Sequence, residues 1–155
     1  MPPSTRPRVL CVDDDEDSRV MLVTLLKHAF IEAKAVGTAA QTLSLIQAEH
    51  FDLYTLDGWL PEIDGFELCR RIRKFDRTTP ILFFSGAAYA ADKRKGIEAG
   101  ANGYVIKPDI EDLLRTIKQF VPLSESSTAQ GIPIRREVST PRLSPFSLRE
   151  PLYVS

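Results

Sequence analysis

Between residues 9 and 121 the chain repeats one pattern five times: a short apolar run, a break, then apolar residues at helical spacing. The runs cover residues 9–12, 32–36, 53–56, 80–84 and 104–106, the second being the weakest. Three of them are apolar almost throughout rather than alternating, the pattern of strands covered on both faces. The segments between carry the stripes Leu22, Leu25, Leu26 and Ala29, then Ala39, Leu43 and Ile46, then Leu68, Ile72 and Phe75. A helix over 90–99 must stop at Gly100, and Asp109 can cap the last one, with its stripe Ile110, Leu113, Leu114, Ile117 and Val121. Five such units predict an α/β fold: a five-stranded, doubly wound parallel sheet with helices on both faces.

In such sheets ligands bind beyond the carboxyl ends of the strands. The first run ends in Asp13 and Asp14, the third in Asp57, the fourth in Ser85 and the fifth in Lys107. A parallel sheet brings all of these to one edge. Three carboxylates held there repel one another: at about 4 Å and an effective dielectric near 20, each pair costs roughly 4 kcal/mol. A divalent cation relieves this, and a hard, oxygen-rich site suits Mg2+, with Mn2+ as the alternative. Phosphoryl transfer uses the same equipment: cations to neutralise the phosphoryl oxygens, a hydroxyl to hold one, and a carboxylate as nucleophile. A hydrolase built on a histidine base does not fit, because His28 and His50 fall in or near helices, away from every strand end.

The stretches that carry these residues resemble the receiver domain of bacterial two-component response regulators, in the single-domain form known from chemotaxis. They are residues 9–15, with Asp13 and Asp14; 52–68, with Asp57, Pro61 and Asp64-Gly65; 80–86, with Ser85; and 98–108, with Tyr104 and Lys107. The resemblance spans about residues 8–122, and four motifs in order make it specific. It implies a flavodoxin-like sheet of strand order 2-1-3-4-5, the order of the chemotaxis member of that family. It implies that Asp57 is the phosphoacceptor, Asp14 a direct metal ligand, Asp13 its helper, and the Trp59 backbone carbonyl a further ligand. Ser85 and Lys107 become the phosphoryl-sensing pair, Tyr104 the aromatic switch, and Lys107-Pro108 a cis peptide. The donor would be a sensor histidine kinase or a histidine phosphotransfer protein. Output would pass to a downstream protein at the face from Ala90 to Phe120; a homodimer is a further option. The chain would be a stand-alone switch that catalyses only its own phosphorylation and dephosphorylation. Two departures are Gly86, where alanine is common, and Trp59, where a smaller side chain is common.

Length and charge set the outer bounds. The 155 residues suffice for one ordinary domain. A net charge of −1 argues against direct nucleic-acid binding by bulk positive charge. Cys11 and Cys69 lie in apolar runs without metal-ligand spacing and read as reduced core thiols. No signal segment and no run long enough to cross a bilayer are visible, so a cytoplasmic protein without membrane insertion is expected. Residues 1–7 read as a flexible N-terminal segment, 8–122 as the receiver and 123–155 as a tail rich in Ser, Pro and Arg. Its apolar cluster of Phe146, Leu148, Leu152, Tyr153 and Val154 could dock on the receiver, against the plainer reading of a mobile linker.

Each motif also has a plainer reading. Residues 13–17 could be a solvated helix start, since acidic residues favour helix N-termini. Lys107 alone is most often a surface lysine, Ser85 alone ends a strand, and Tyr104 alone is a packing aromatic. The joint placement of the acids, Ser85 and Lys107 at strand ends outweighs these readings, while the switch role of Tyr104 rests on the resemblance alone. A haloacid-dehalogenase-type phosphatase is the rival enzyme, but Thr55 stands where its nucleophilic Asp would be. A degenerate receiver acting only as a binding module is opposed by the full acidic set with Lys107.

Overall fold

The computed structural model describes residues 6–121. Strands β1 (Arg8–Val12), β2 (Glu32–Val36), β3 (Leu53–Leu56), β4 (Ile81–Ser85) and β5 (Gly103–Ile106) alternate with helices α1 (Glu16–His28), α2 (Ala39–Ala48), α3 (Gly65–Arg73), α4 (Ala90–Ala99) and α5 (Ile110–Phe120). All pairings are parallel, in the order β2-β1-β3-β4-β5, which is the flavodoxin-like arrangement expected. The expected tail, 123–155, and the first five residues of the N-terminal segment lie outside the described residues.

Successive strand residues supply opposite faces of the sheet. Leu10, Val12, Leu56 and Phe83 pack with Phe66, Leu68 and Ile72 of α3 on one side. Val9, Cys11, Leu82 and Phe84 pack with Leu22 and Leu26 of α1 and with Leu113 and Ile117 of α5 on the other. Both faces are covered, so the central runs do not alternate. Edge strand β2 is largely open, which explains its weaker apolar signal. Cys11 and Cys69 are buried free thiols, and burial pushes them up to about 12 and about 11. No described helix is long and apolar enough to cross a membrane. The Lys107-Pro108 peptide is cis, and Gly100 ends α4 at a φ of 115°.

Two local features depart from the sequence pattern. Phe75, expected on the buried stripe of α3, is 52% exposed because the helix ends at Arg73. Arg73 turns the chain there by donating to the carbonyls of Asp76, Thr79 and Gly100 at 2.8–2.9 Å. After α1, Phe30 takes a left-handed φ of 64°, a conformation that costs a side chain with a Cβ. The turn is a Schellman motif, with Phe30 N–H on the Lys27 carbonyl and Ile31 N–H on the Leu26 carbonyl. Phe30→Gly and Phe30→Ala both remove the ring, so their difference isolates the backbone. The glycine variant should be the more stable by about 1 kcal/mol in urea unfolding, and equal midpoints would contradict that strain.

Candidate functional site

Ladder hydrogen bonds carry the strand-end residues to one edge. The Asp13 N–H donates to the Val36 carbonyl at 3.0 Å, the Asp57 N–H to the Val12 carbonyl at 2.9 Å, and the Lys107 N–H to the Ser85 carbonyl at 3.0 Å. Each is one more rung beyond its strand. Because β1 and β3 are neighbours, Asp13 and Asp57 stand side by side. The chain runs outward from β1 to β2 and then returns to β3, so this is also the point where strand order reverses.

Asp13, Asp14 and Asp57 place carboxylate oxygens within 4.8 Å of one another. Asp13 and Asp57 are buried, while Asp14 is exposed. The Lys107 ammonium donates to Asp13 Oδ2 at 2.7 Å and to Asp57 Oδ2 at 3.1 Å. Burial works against its charge, but the two carboxylates outweigh burial and hold its pKa above the ordinary lysine value. The stabilisation is therefore fully present through neutral pH and is lost only as the pH climbs through that raised value. Asp13 Oδ1 accepts the Asp15 N–H at 2.9 Å, and Asp57 Oδ1 the Trp59 N–H at 3.1 Å. The Asp14 carboxylate accepts no hydrogen bond among the described residues. A set of hard oxygens with one carboxylate open to water fits a divalent cation that keeps part of its water shell.

The groups around the acids are tied together. Ser85 is fully buried, and its Oγ accepts the Ala87 N–H at 3.2 Å. The Tyr104 hydroxyl donates to the Ala87 carbonyl at 2.7 Å. Burial pushes the Tyr104 phenol up to about 12, against the opposing pull of the Ser85 hydroxyl. The Tyr104 ring stacks on Phe83 with centroids 5.4 Å apart, and Phe83 stacks on Phe66 at 4.9 Å. Trp59 engages Asp57 through its backbone, and its indole is exposed at the rim.

The Asp64-Gly65 pair has a local reason. Asp64 caps α3 by accepting the Glu67 N–H at 2.8 Å. A Cβ on Gly65 would overlap the Asp57 carbonyl, so only glycine lets α3 start that close to the acid. The structure thus gathers Asp13, Asp14, Asp57, Ser85, Lys107 and Tyr104 at one edge with Trp59 beside them. Sequence reasoning missed Arg19, whose Nη1 donates to the Asp13 backbone carbonyl at 2.9 Å. The available signal was weak: Arg19 is the one basic residue between Asp13 and Leu26.

A family model described as the response regulator receiver domain matches residues 9–118. The chain belongs to this family. The receiver is 34% identical over 126 residues to the transcriptional regulatory protein GltR of Pseudomonas aeruginosa, covering 79% of this chain and 52% of that protein. It is 34% identical over 111 residues to the response regulator ArlR of Staphylococcus epidermidis, covering 71% and 50%. The chain thus spans about half the length of these curated relatives. Among solved structures, chemotaxis response regulator CheY4 of Vibrio cholerae superposes with a TM-score of 0.71 at 30% identity, covering 76% of this chain and 100% of that one. The BeF3-activated DrrB receiver domain gives 0.69 at 30% identity, covering 75% and 97%. A receiver is a phosphoacceptor switch rather than a conventional enzyme, and the acidic triad is typical of its divalent metal site.

Removing Lys107 leaves Asp13 and Asp57 facing each other without their cation. Lys107→Ala should lower stability by about 3 kcal/mol at neutral pH without added metal, as for other broken buried pairs. The loss should shrink in millimolar Mg2+, which supplies the missing positive charge. Melting curves with and without Mg2+ check this, and a deficit that Mg2+ does not reduce would contradict the electrostatic cause.

Proposed function

We propose that this receiver takes a phosphoryl group on Asp57 from a sensor histidine kinase or a histidine phosphotransfer protein. The carrying observation is the Lys107 ammonium bonded to both Asp13 and Asp57, with three carboxylates converging at the strand edge. In the reaction a carboxylate oxygen of Asp57 attacks phosphorus, and the P–N bond to the donor imidazole breaks. The leaving imidazole takes up a proton, and the product is an acyl phosphate on Asp57. Mg2+, held by Asp13, Asp14, Asp57 and the Trp59 backbone carbonyl, would supply charge neutralisation at the phosphoryl oxygens when bound.

The chain's own residues then account for the switch. Once phosphorylated, Asp57 no longer carries the carboxylate charge that Lys107 neutralises. The ammonium turns to the phosphoryl oxygens, where a charge-assisted hydrogen bond is stronger. The Ser85 hydroxyl, whose oxygen already accepts from Ala87, has its proton to donate to a second phosphoryl oxygen. Drawing Ser85 toward Asp57 pulls on Ala87, and Tyr104 is bonded to the Ala87 carbonyl. Phosphorylation is thereby felt at Tyr104 on β5 and at the loop that leads into α4.

Output in this reading passes by protein–protein contact at the face from Ala90 to Phe120. Exposed Tyr89 just before that face, and Ile97 and Phe120 on it, give a partner or a second copy apolar surface to cover. Incubation with acetyl phosphate and Mg2+ should add the mass of one phosphoryl group to the intact chain. Asp57→Asn should abolish the gain while leaving the circular dichroism spectrum unchanged. A full gain in that variant would overturn the assignment of Asp57.

A further inference from the structure

Arg19 occupies an unusual position for a cation, in the first turns of α1 and two residues after the acidic run of residues 13–17. Its side chain reaches back across the β1–α1 loop to the Asp13 backbone carbonyl, 2.9 Å from Nη1. On its other side it lies against the loop before α2: a Cβ on Gly37 would fall 2.7 Å from Nη1 and 3.4 Å from Cζ. The guanidinium therefore bridges the two loops that flank the end of β1.

The carbonyl it holds belongs to the peptide plane that joins Asp13 to Asp14. Asp13 is already pinned at its other polar atoms: its N–H by Val36, Oδ1 by the Asp15 N–H, and Oδ2 by Lys107. Asp14 has no such support, being exposed and accepting no hydrogen bond from the described residues. Its aim toward Asp13 and Asp57 depends on the plane from which it hangs. We infer that Arg19 is a positioning residue for the metal site, fixing the Asp13–Asp14 peptide so that the Asp14 carboxylate converges with the other two.

This rests on the metal-assisted reading above, and charge makes it sharply testable. A guanidinium near a cation site opposes a metal ion by repulsion. If charge were its whole effect, removing it would tighten Mg2+ binding. Positioning demands the opposite sign. In calorimetric titration of the full chain, Arg19→Ala should weaken Mg2+ binding by about tenfold, the lower range for loss of a group that orients a ligand. Arg19→Lys, which keeps a donor, should recover part of the loss.

Gly37→Ala provides an independent arm. Its methyl would push the guanidinium away from Asp13, into an open cleft of about 460 Å³ bordered by Asp14, Thr38, Gln41 and Pro61, leaving the core untouched. It should weaken Mg2+ in the same direction, and the Arg19→Ala, Gly37→Ala double variant should lose no more than Arg19→Ala alone. Unchanged or tighter binding in Arg19→Ala with an unchanged melting curve overturns the inference, and so does additivity in the double variant. If Arg19→Ala does not fold, unchanged affinity in Gly37→Ala overturns it instead. A wild-type chain that binds no Mg2+ overturns both this and the metal reading. Wild-type binding with indifferent variants overturns this inference alone.

Discussion

The repulsion between the buried carboxylates of Asp13 and Asp57 is the constraint around which this receiver is arranged. Two negative groups withdrawn from water at the same sheet edge are costly, and Asp14 adds a third charge within 4.8 Å. Lys107 offsets the cost by bridging both buried acids. It can do so because β5 ends level with β4, where the Ser85 carbonyl receives the Lys107 N–H. The parallel register of strands far apart in sequence thus decides whether the acids are tolerable. An ammonium on a flexible stem suits this role, since it can leave one oxygen for another without rebuilding the backbone.

The same edge receives the N-terminus of every helix, because each follows a strand in a parallel sheet. Asp15, Thr38, Asp64 and Asp109 cap α1, α2, α3 and α5, and the Asp92 carboxylate accepts the Tyr89 N–H at the start of α4. Acidic residues at this edge therefore serve two ends. Asp15, Asp64, Asp92 and Asp109 satisfy amides at the helix starts, and Asp13, Asp14 and Asp57 face one another. The partial positive charge of the helix ends favours anions at this edge and moderates the cost of the triad.

Stiff connections link that edge to the surface. Ala87 accepts from Tyr104 with its carbonyl and donates to Ser85 with its N–H, so a displacement at either side chain loads the same residue. Tyr104 is the outer member of a stack with Phe83 and Phe66, which joins β5 to β4 and to α3. A change beside Asp57 thus has a short, hydrogen-bonded route to the α4 side of the domain. The loop after Ser85 has open space around it: Gly86 is exposed, and a Cβ there would meet nothing within 4 Å.

Local pattern alone sufficed for much of this. Continuous apolar runs require cover on both faces, helical stripes between them supply it, and a parallel sheet leaves the carboxyl ends of all its strands on one edge. That places Asp13, Asp57, Ser85 and Lys107 together from the sequence, since each directly ends or follows a strand. Phe75 kept the helical spacing of α3 yet stayed outside the core, because Arg73 binds three carbonyls, two in the loop after α3 and one after α4, that no periodic pattern signals. Arg19 gave almost no signal, because its partner is a backbone carbonyl, which every residue carries. Which cation meets which carboxylate, how Asp14 is aimed, and which residue joins Ser85 to Tyr104 were decided only in the tertiary structure. Those contacts depend on side-chain reach across strands and loops, and spacing along the chain does not encode distance through space.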